Sequence, residues 1–272
     1  MMKIASGAVA GTVLLLSLTA CEGETTASGN GPDNTVNLSA SQVLDRTATR
    51  SAEVETFTAD LTVDGSGSVR GSGAFRMKPS PAFSVNLEQL SFGGVTVGTG
   101  GTRVVLLDET VYVQNSQLSQ FLNSGKPWMK ITLGEAANAV GFNPNDLLKQ
   151  VDQADPGKLS RILSSSTDVK KVGSEKIDGV ETTHYQGTVD VKKSMTEYDP
   201  ELRATAEQLS NGSEKLGFDI WVDGEQLPRK VITKVTTSEA KQFNVTVVFR
   251  DYGKPVSVAA PPADQVGDIK LP

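Results

Sequence analysis

Alternation of apolar and polar residues at every second position is the feature that most constrains how this chain of 272 residues can fold. In the stretch 57–63, apolar residues occupy the odd positions and polar residues the even ones. The same period recurs in 83–87, 216–222 and 243–249. Successive side chains of a β-strand point to opposite faces, so this pattern predicts strands with one apolar and one polar face. Such strands are typical of an antiparallel sheet that is solvated on one side.

Short helices are predicted around this sheet. Ser39 and Gln42 have the spacing of a capping box, which predicts a helix that begins directly after Ser39. Asn143, Asp155 and Asp199 each precede a proline, the arrangement of an N-cap followed by the first helical residue. The apolar stripes of these helices need a partner, and the apolar side of the sheet is the obvious one.

The number of strands sets the fold class. About ten strands are predicted, which is more than a flat sheet tolerates without curling. Asp108-Glu109 and Asp178-Gly179 mark hairpin turns between them. We therefore predict an α+β fold in one domain, residues 38–272, with a strongly curved antiparallel β-sheet (a half-barrel) and short helices on its concave face.

A set of apolar residues in successive strands occupies the alternate positions whose side chains should face the concave side. Gly71 and Gly73 have the same parity, and glycine inside a strand usually marks strong curvature or a close approach. The candidates for lining a cavity on this side are Phe57, Leu61, Phe75, Phe83, Val85, Leu87, Val104 and Leu106.

The N-terminus reads as a secretory signal. Lys3 supplies a positive start, an apolar run follows over 4–18, and small residues precede Cys21, which is the only cysteine. The run Leu18-Thr19-Ala20-Cys21 resembles the bacterial lipobox, in which the thiol takes up diacylglycerol and the peptide is cut before it. We predict a signal peptide over 1–20 and lipidation at Cys21.

Two other readings of the N-terminus are an ordinary signal peptide followed by a stray buried thiol, and a membrane-spanning anchor. The residues after Cys21, up to Asn37, are rich in Gly, Ser, Thr and Asn and could not bury a thiol. The apolar run is short against the roughly 20 residues that a spanning helix needs. We therefore expect 21–37 to be a flexible tether that holds the domain at the cell membrane, on the extracytoplasmic face.

Charge and composition exclude several partners. The formal net charge is −6, without runs of Arg or Lys, which argues against nucleic acid and against electrostatic docking to anionic lipid. With one cysteine, no intramolecular disulfide can form, so packing must supply the stability. We expect a monomer.

Catalytic and metal-binding readings have little support in the sequence. His184 is the only histidine and lies in an alternating segment that predicts a strand, without a nucleophile elbow anywhere in the chain. Asp146, Asp152 and Asp155 lack the spacing of an EF-hand, and no Cys/His cluster is present. We predict that the protein is not an enzyme and takes no metal and no cofactor.

Several short motifs resemble one family. They are the lipobox, the run Gly179–Tyr185, Ile220-Trp221-Val222-Asp223 with the following Leu227-Pro228-Arg229-Lys230, and the closing Pro261-Pro262-Ala263-Asp264. The chain is similar in these to actinobacterial lipoproteins of the LppX/LprG type, which have a LolA-like half-barrel. The resemblance implies that the concave face holds acyl chains and that the protein carries an amphipathic lipid or glycolipid across or within the cell envelope, with a membrane transporter as a further partner.

Two other function classes stay open. One is an envelope sensor or regulatory lipoprotein that binds a membrane protein through the same fold. The other is a surface structural or adhesion protein whose core is closed. A lipid that co-purifies with the domain favours the carrier, whereas a membrane protein recovered with an empty domain favours the regulator.

Replacing Cys21 by Ala tests the anchor. We expect the Cys21→Ala protein to stay unprocessed or to be shed into the medium, because the acylated thiol is the proposed membrane attachment. Cell fractionation and intact-mass measurement check this. A Cys21→Ala protein that is still membrane-bound and still carries the same added acyl mass as wild type would contradict lipidation at this residue.

Overall fold

A computed structural model describes residues 38–268, apart from 66, 93–94, 98–100, 122–124, 135–154, 195, 197 and 237–241. The predicted signal peptide, Cys21 and the tether lie outside the described residues, as does the helix predicted after Asn143. Of the helices that are described, none is both long and apolar enough to cross a membrane.

A single sheet of thirteen strands forms the body of the protein. Across the sheet the order is β13-β7-β6-β5-β3-β2-β1-β12-β11-β10-β9-β8, with β4 paired to β3 beside this path. All pairs are antiparallel except β13 with β7. The strands are β1 (Thr56–Asp64), β2 (Gly67–Arg76), β3 (Ala82–Phe92), β4 (Val95–Val97), β5 (Thr102–Leu107), β6 (Thr110–Gln114), β7 (Trp128–Thr132), β8 (Lys170–Ile177), β9 (Val180–Asp190), β10 (Lys215–Asp223), β11 (Pro228–Thr236), β12 (Gln242–Arg250) and β13 (Val266–Asp268).

The predicted fold class is confirmed: the sheet is curved, open and almost wholly antiparallel, and helices accompany it. The strand count exceeds the predicted ten. β4 lies in the segment where the sequence predicts a strand after β3, whereas β13, with three residues, is too short for alternation to mark it in the sequence. The last described residues form β13, which follows a 3₁₀ turn over Ala263–Gln265.

The helices begin where the capping signals predict. Both hydrogen bonds of the Ser39–Gln42 capping box are present. Asp155 Oδ1 accepts from the backbone N–H of Gly157 at 2.7 Å, and Asp199 Oδ1 accepts from that of Leu202 at 2.8 Å. These contacts satisfy N–H groups that have no partner within a helix. The described helices are α1 (Ala40–Ser51), α2 (Ser116–Phe121), α3 (Pro156–Ser164), α4 (Val191–Ser194) and α5 (Pro200–Ser210).

One side of the sheet, which we call the inner face, packs against α1, α3, α4 and α5. Phe57, Phe218 and Phe249 lie on it and belong to one buried cluster with Leu44 of α1 and Leu159 of α3. The opposite side is the outer face. The apolar stripes of the helices thus find the partner that the sequence predicts, and the core lies between the helices and the inner face.

Gly73 allows two strands of the inner face to approach closely. A Cβ at this position would lie 2.8 Å from Val85 Cγ2 and 3.0 Å from Phe75 Cε2. Gly71 is similar, since its Cβ would lie 2.9 Å from the carbonyl oxygen of Asn86. The side chains of β3 therefore lie over the backbone of β2, as the glycine parity predicts.

Gly73→Ala should reduce the free energy of unfolding by roughly 1–3 kcal/mol, because the added methyl group overpacks this contact. Gly217→Ala in β10 is the matched control, since its Cβ would meet Lys234 Cβ at an ordinary 3.6 Å. Urea unfolding of both variants checks this. Equal stabilities of the two variants would show that the approach of β2 and β3 is not constrained at Gly73.

Candidate functional site

Strand pairing brings the eight predicted cavity residues to the inner face. Phe57 pairs with Phe75, Phe75 with Phe83, and Phe83 with Leu106, which forms one row across four strands. Val85 pairs with Val104 in the next row. Leu61 and Leu87 both pair with Gly71 in the row after that. Cross-strand partners share a face, so all eight residues point to the same side. That they contact lipid stays a prediction.

The first row is fully packed, and we call Phe57, Phe75, Phe83 and Leu106 the closed layer. Phe57 has no exposed surface, and its ring stacks on that of Phe75 with centroids 4.9 Å apart. Phe249 meets Phe57 edge-on at 5.7 Å. All four residues of the layer lie in the cluster that includes the helices. A ligand could reach this row only by displacing packed side chains.

The other four predicted residues, Leu61, Val85, Leu87 and Val104, are only partly buried, and we call them the open part of the inner face. Leu61, Val85 and Val104 pack against the edge of the core. Their side chains are aliphatic and carry no group that could bind a metal or take part in acid-base chemistry. What this surface can do is bury apolar ligand surface.

Further apolar residues extend the open part and were not predicted as site residues. Val63 pairs with both Val69 and Val245, and Val104 pairs with Val113. All four of these added valines are partly buried. Alternation within each strand indicated that these valines are apolar positions of one face. It could not predict that β1 pairs with β12, which lies about 180 residues away in sequence.

A polar cluster occupies the outer face around His184. Its Nε2 lies 2.8 Å from Asp219 Oδ1, and its ring stacks on Trp221 at 4.2 Å. Lys234 Nζ also pairs with Asp219, and Lys230 Nζ lies 4.6 Å from the centre of the Trp221 ring. Asp219 is buried although the outer face of such a sheet is normally solvated.

This cluster lacks the parts of a catalytic triad. Within the part of the chain that the structure describes, no hydroxyl or thiol group forms a hydrogen bond with His184. No group of three or more His, Cys, Asp or Glu side chains among those residues is arranged to hold a metal ion. The contacts of the whole cluster connect β9, β10 and β11, with His184 joined to β10 and the two lysines joining β10 to β11.

The environment of Asp219 lowers the pKa of its carboxyl group below the ordinary value. Burial acts in the opposite direction and raises it, but hydrogen bonds from Lys234 and His184 and the charges of both residues outweigh the burial. The ionised form is therefore the one that the folded protein stabilises.

Comparison with known proteins gives one family match. The family model described as LppX_LprAFG lipoprotein matches residues 39–258. Over 183 residues the chain is 31% identical to a Streptomyces griseus protein named "Uncharacterized 31.2 kDa protein in rplA-rplJ intergenic region", covering 64% of this chain and 58% of that protein. It is 25% identical over 174 residues to "Putative lipoprotein SCO4650" of Streptomyces coelicolor, covering 64% and 53%. The chain thus spans about half the length of the curated relatives it matches.

The solved structure of LprF shares the architecture of this chain. LprF from Mycobacterium bovis superposes with a TM-score of 0.53 at 15% identity, covering 82% of this chain and 96% of LprF. LppX from Mycobacterium tuberculosis gives a TM-score of 0.49 at 13% identity, covering 81% and 98%. The likeness to LprF shows a common fold.

The lowered pKa of Asp219 makes stability depend on pH. A carboxyl group whose pKa is lower in the folded state contributes stability that is present above its unfolded pKa of about 3.9 and is lost as the pH falls through the folded value. Asp219→Asn should therefore cost about 1.5–3 kcal/mol at pH 7, the range for hydrogen bonds to charged groups, and much less near pH 2–3.

Urea unfolding at pH 7 and pH 3 measures this difference. Asp64→Asn is the control, because Asp64 is exposed at the end of β1 and should leave the pH dependence of wild type intact. If the gap between wild type and Asp219→Asn were the same at both pH values, the ionised carboxylate would not be what stabilises the outer-face cluster.

Proposed function

The chain belongs to the LppX_LprAFG lipoprotein family, and from that premise we propose that it binds the acyl chains of an amphipathic lipid or glycolipid on the open part of its inner face. It carries this lipid within or across the cell envelope while Cys21 keeps it anchored to the membrane. The protein acts by binding and has no catalytic step.

The observation that carries the proposal is that an apolar surface continues beyond the closed layer. Along β3 the inner residues are Phe83, Val85 and Leu87, of which the first is buried and the next two are partly exposed. Contiguous apolar surface on a soluble domain usually marks an interaction site. Its burial against an acyl chain would contribute about 25 cal/mol per Å².

The shape of the ligand follows from the composition of this surface. The rows of the open part run across β1, β2, β3, β5 and β6. Their inner residues are aliphatic or glycine, apart from Thr102 of β5, which pairs with Leu87. A surface of this kind fits methylene chains, which need no hydrogen bonds. The closed layer limits how deeply such a chain can enter from this side.

The tether suits a carrier that stays at its membrane. Residues 21–37 would span a few tens of ångströms if they behave as a flexible chain, at about 5–6 Å times the square root of the residue number. That reach lets the domain collect a lipid at the outer surface of the cell membrane and present it to a partner in the envelope.

Val85→Trp tests the lipid site. The indole would occupy space that the acyl chain fills, so co-purified lipid should fall by more than half while the melting temperature stays within about 2 °C of wild type, which corresponds to less than about 1 kcal/mol for a domain of this size. Native mass spectrometry of protein extracted from membranes measures the lipid, and calorimetry measures stability.

Asn86→Trp is the control, because residue 86 is the neighbour of Val85 on the opposite face of the same strand and should leave the lipid load unchanged. An early-melting Val85→Trp protein that keeps its full lipid load would place the ligand elsewhere. An empty wild-type protein that is recovered together with a membrane protein would favour the regulatory lipoprotein instead.

A further inference from the structure

A groove separate from the open part of the inner face lies between α1, α3 and the turn that joins β2 to β3. Its cavity has a volume of about 570 Å³, within the range of small-molecule sites. Ala52, directly after α1, and Gly157 of α3 approach so closely that a Cβ on Gly157 would lie 3.0 Å from Ala52 Cα. Ser51 Oγ and Ser160 Oγ lie 3.4 Å apart beneath. The two helices therefore form a fixed wall.

The lining of the groove is partly apolar. Ala48, Val54, Met77, Pro81 and Leu202 contribute to it. Val54 and Met77 also pack against the core, so the apolar lining is continuous with packed protein. This part of the groove can hold a short hydrocarbon segment.

Three cationic side chains line the groove beside this apolar surface: Lys78, Lys158 and Arg161. Lys78 and Arg161 are both exposed, and Lys78 Nζ donates to the carbonyl oxygen of Ala52 at 2.9 Å. That bond holds the ammonium group beside the groove and leaves it two further donors. Among the residues that the structure describes, no carboxylate forms an ion pair with Lys78 or Arg161.

The carboxylates that line the groove already accept backbone hydrogen bonds. Asp155 and Asp199 also line it, but each accepts hydrogen bonds from the first turn of its own helix. The N-terminal ends of α3 and α5 carry partial positive charge, which these carboxylates offset. The groove therefore offers cationic donors locally, although the whole chain has a formal net charge of −6.

The closed layer separates the groove from the open part of the inner face. Met77 directly follows β2 and Pro81 directly precedes β3, whereas Phe75 and Phe83 come next along these strands. Gly73 and Val85 lie beyond them. A ligand in the groove and an acyl chain on the open part would thus occupy opposite sides of a packed aromatic row.

We propose that this groove is a second binding site, for an amphipathic anion with a single hydrocarbon chain. Lys78 and Arg161 bind the phosphate or carboxylate, and the apolar lining, with Met77 and Leu202, receives the first part of the chain. Charge-assisted hydrogen bonds supply the preference for an anion, because a nonionic amphipath of the same chain length leaves both cations unpaired.

Calorimetric titration tests the site with three probes: octyl phosphate, octyl glucoside and inorganic phosphate. The full mature protein is held in nanodiscs of neutral phosphatidylcholine, and empty nanodiscs supply the background. Octyl phosphate should bind wild type at least about tenfold more tightly than either other probe. The double variant Lys78→Gln/Arg161→Gln should lose about tenfold or more in affinity for octyl phosphate, equal to about 1.4 kcal/mol.

Lys170→Gln/Lys171→Gln in β8 is the matched control, since it removes two exposed lysines and the same charge from residues that do not line the groove. Thr49→Trp, at an exposed α1 position that lines the groove, should weaken octyl phosphate binding without a change in charge. Unchanged affinity in the double variant, equal loss in the β8 control, or equal binding of either comparison probe would overturn the proposal. The amount of lipid bound on the inner face should be the same in all these variants as in wild type. The groove is therefore tested by octyl phosphate binding, and the carrier function is tested separately by the lipid that co-purifies with the protein.

Discussion

The stacked phenylalanine row of the inner face is the contact on which the rest of the structure depends. Phe57 of β1 stacks on Phe75 of β2 with ring centroids 4.9 Å apart, and Phe249 of β12 meets Phe57 edge-on at 5.7 Å. Aromatic pairs of this kind contribute about 0.5–1.5 kcal/mol beyond their buried area. The row joins strands from both ends of the chain, and α1 and α3 pack against it. It also divides the concave side into a groove at one end and an open apolar surface at the other.

Curvature gives the outer face its polar cluster. The hairpin of β8 and β9 bends over this face, so that Glu175 accepts from the indole N–H of Trp221 and Asp178 pairs with Arg250 of β12 at 2.5 Å. Trp221 is buried there between His184 and Lys230. These contacts connect β8, β9, β10, β11 and β12 through charges and rings. The outer face thus connects strands through polar contacts, whereas the inner face carries the apolar surface that we propose to bind lipid.

Local signals in the sequence predicted local structure well. The capping residues Ser39, Asp155 and Asp199 begin helices as expected, and Asp108-Glu109 forms a hairpin turn with both φ angles positive. The parity of the cavity candidates followed from alternation alone. What could not be predicted depends on tertiary contacts. The closed layer and the open part have the same sequence pattern, and only packing distinguishes Phe83, inside the buried core cluster, from Val85 at its edge. The groove likewise arises from the approach of Gly157 to Ala52, 105 residues apart in sequence, which leaves no periodic signal.

Methyl NMR with a spin-labelled fatty acid tests most directly whether the open part is where acyl chains bind. Paramagnetic broadening reports which leucine and valine methyl groups lie near the label. With the label at the end of the acyl chain, the methyl signals of Leu61, Val85, Leu87 and Val104 should broaden, whereas that of Leu163, buried in α3, should stay sharp. Broadening confined to the exposed Val172 and Val180 of the β8–β9 hairpin, with sharp signals from Val85 and Leu87, would contradict the account.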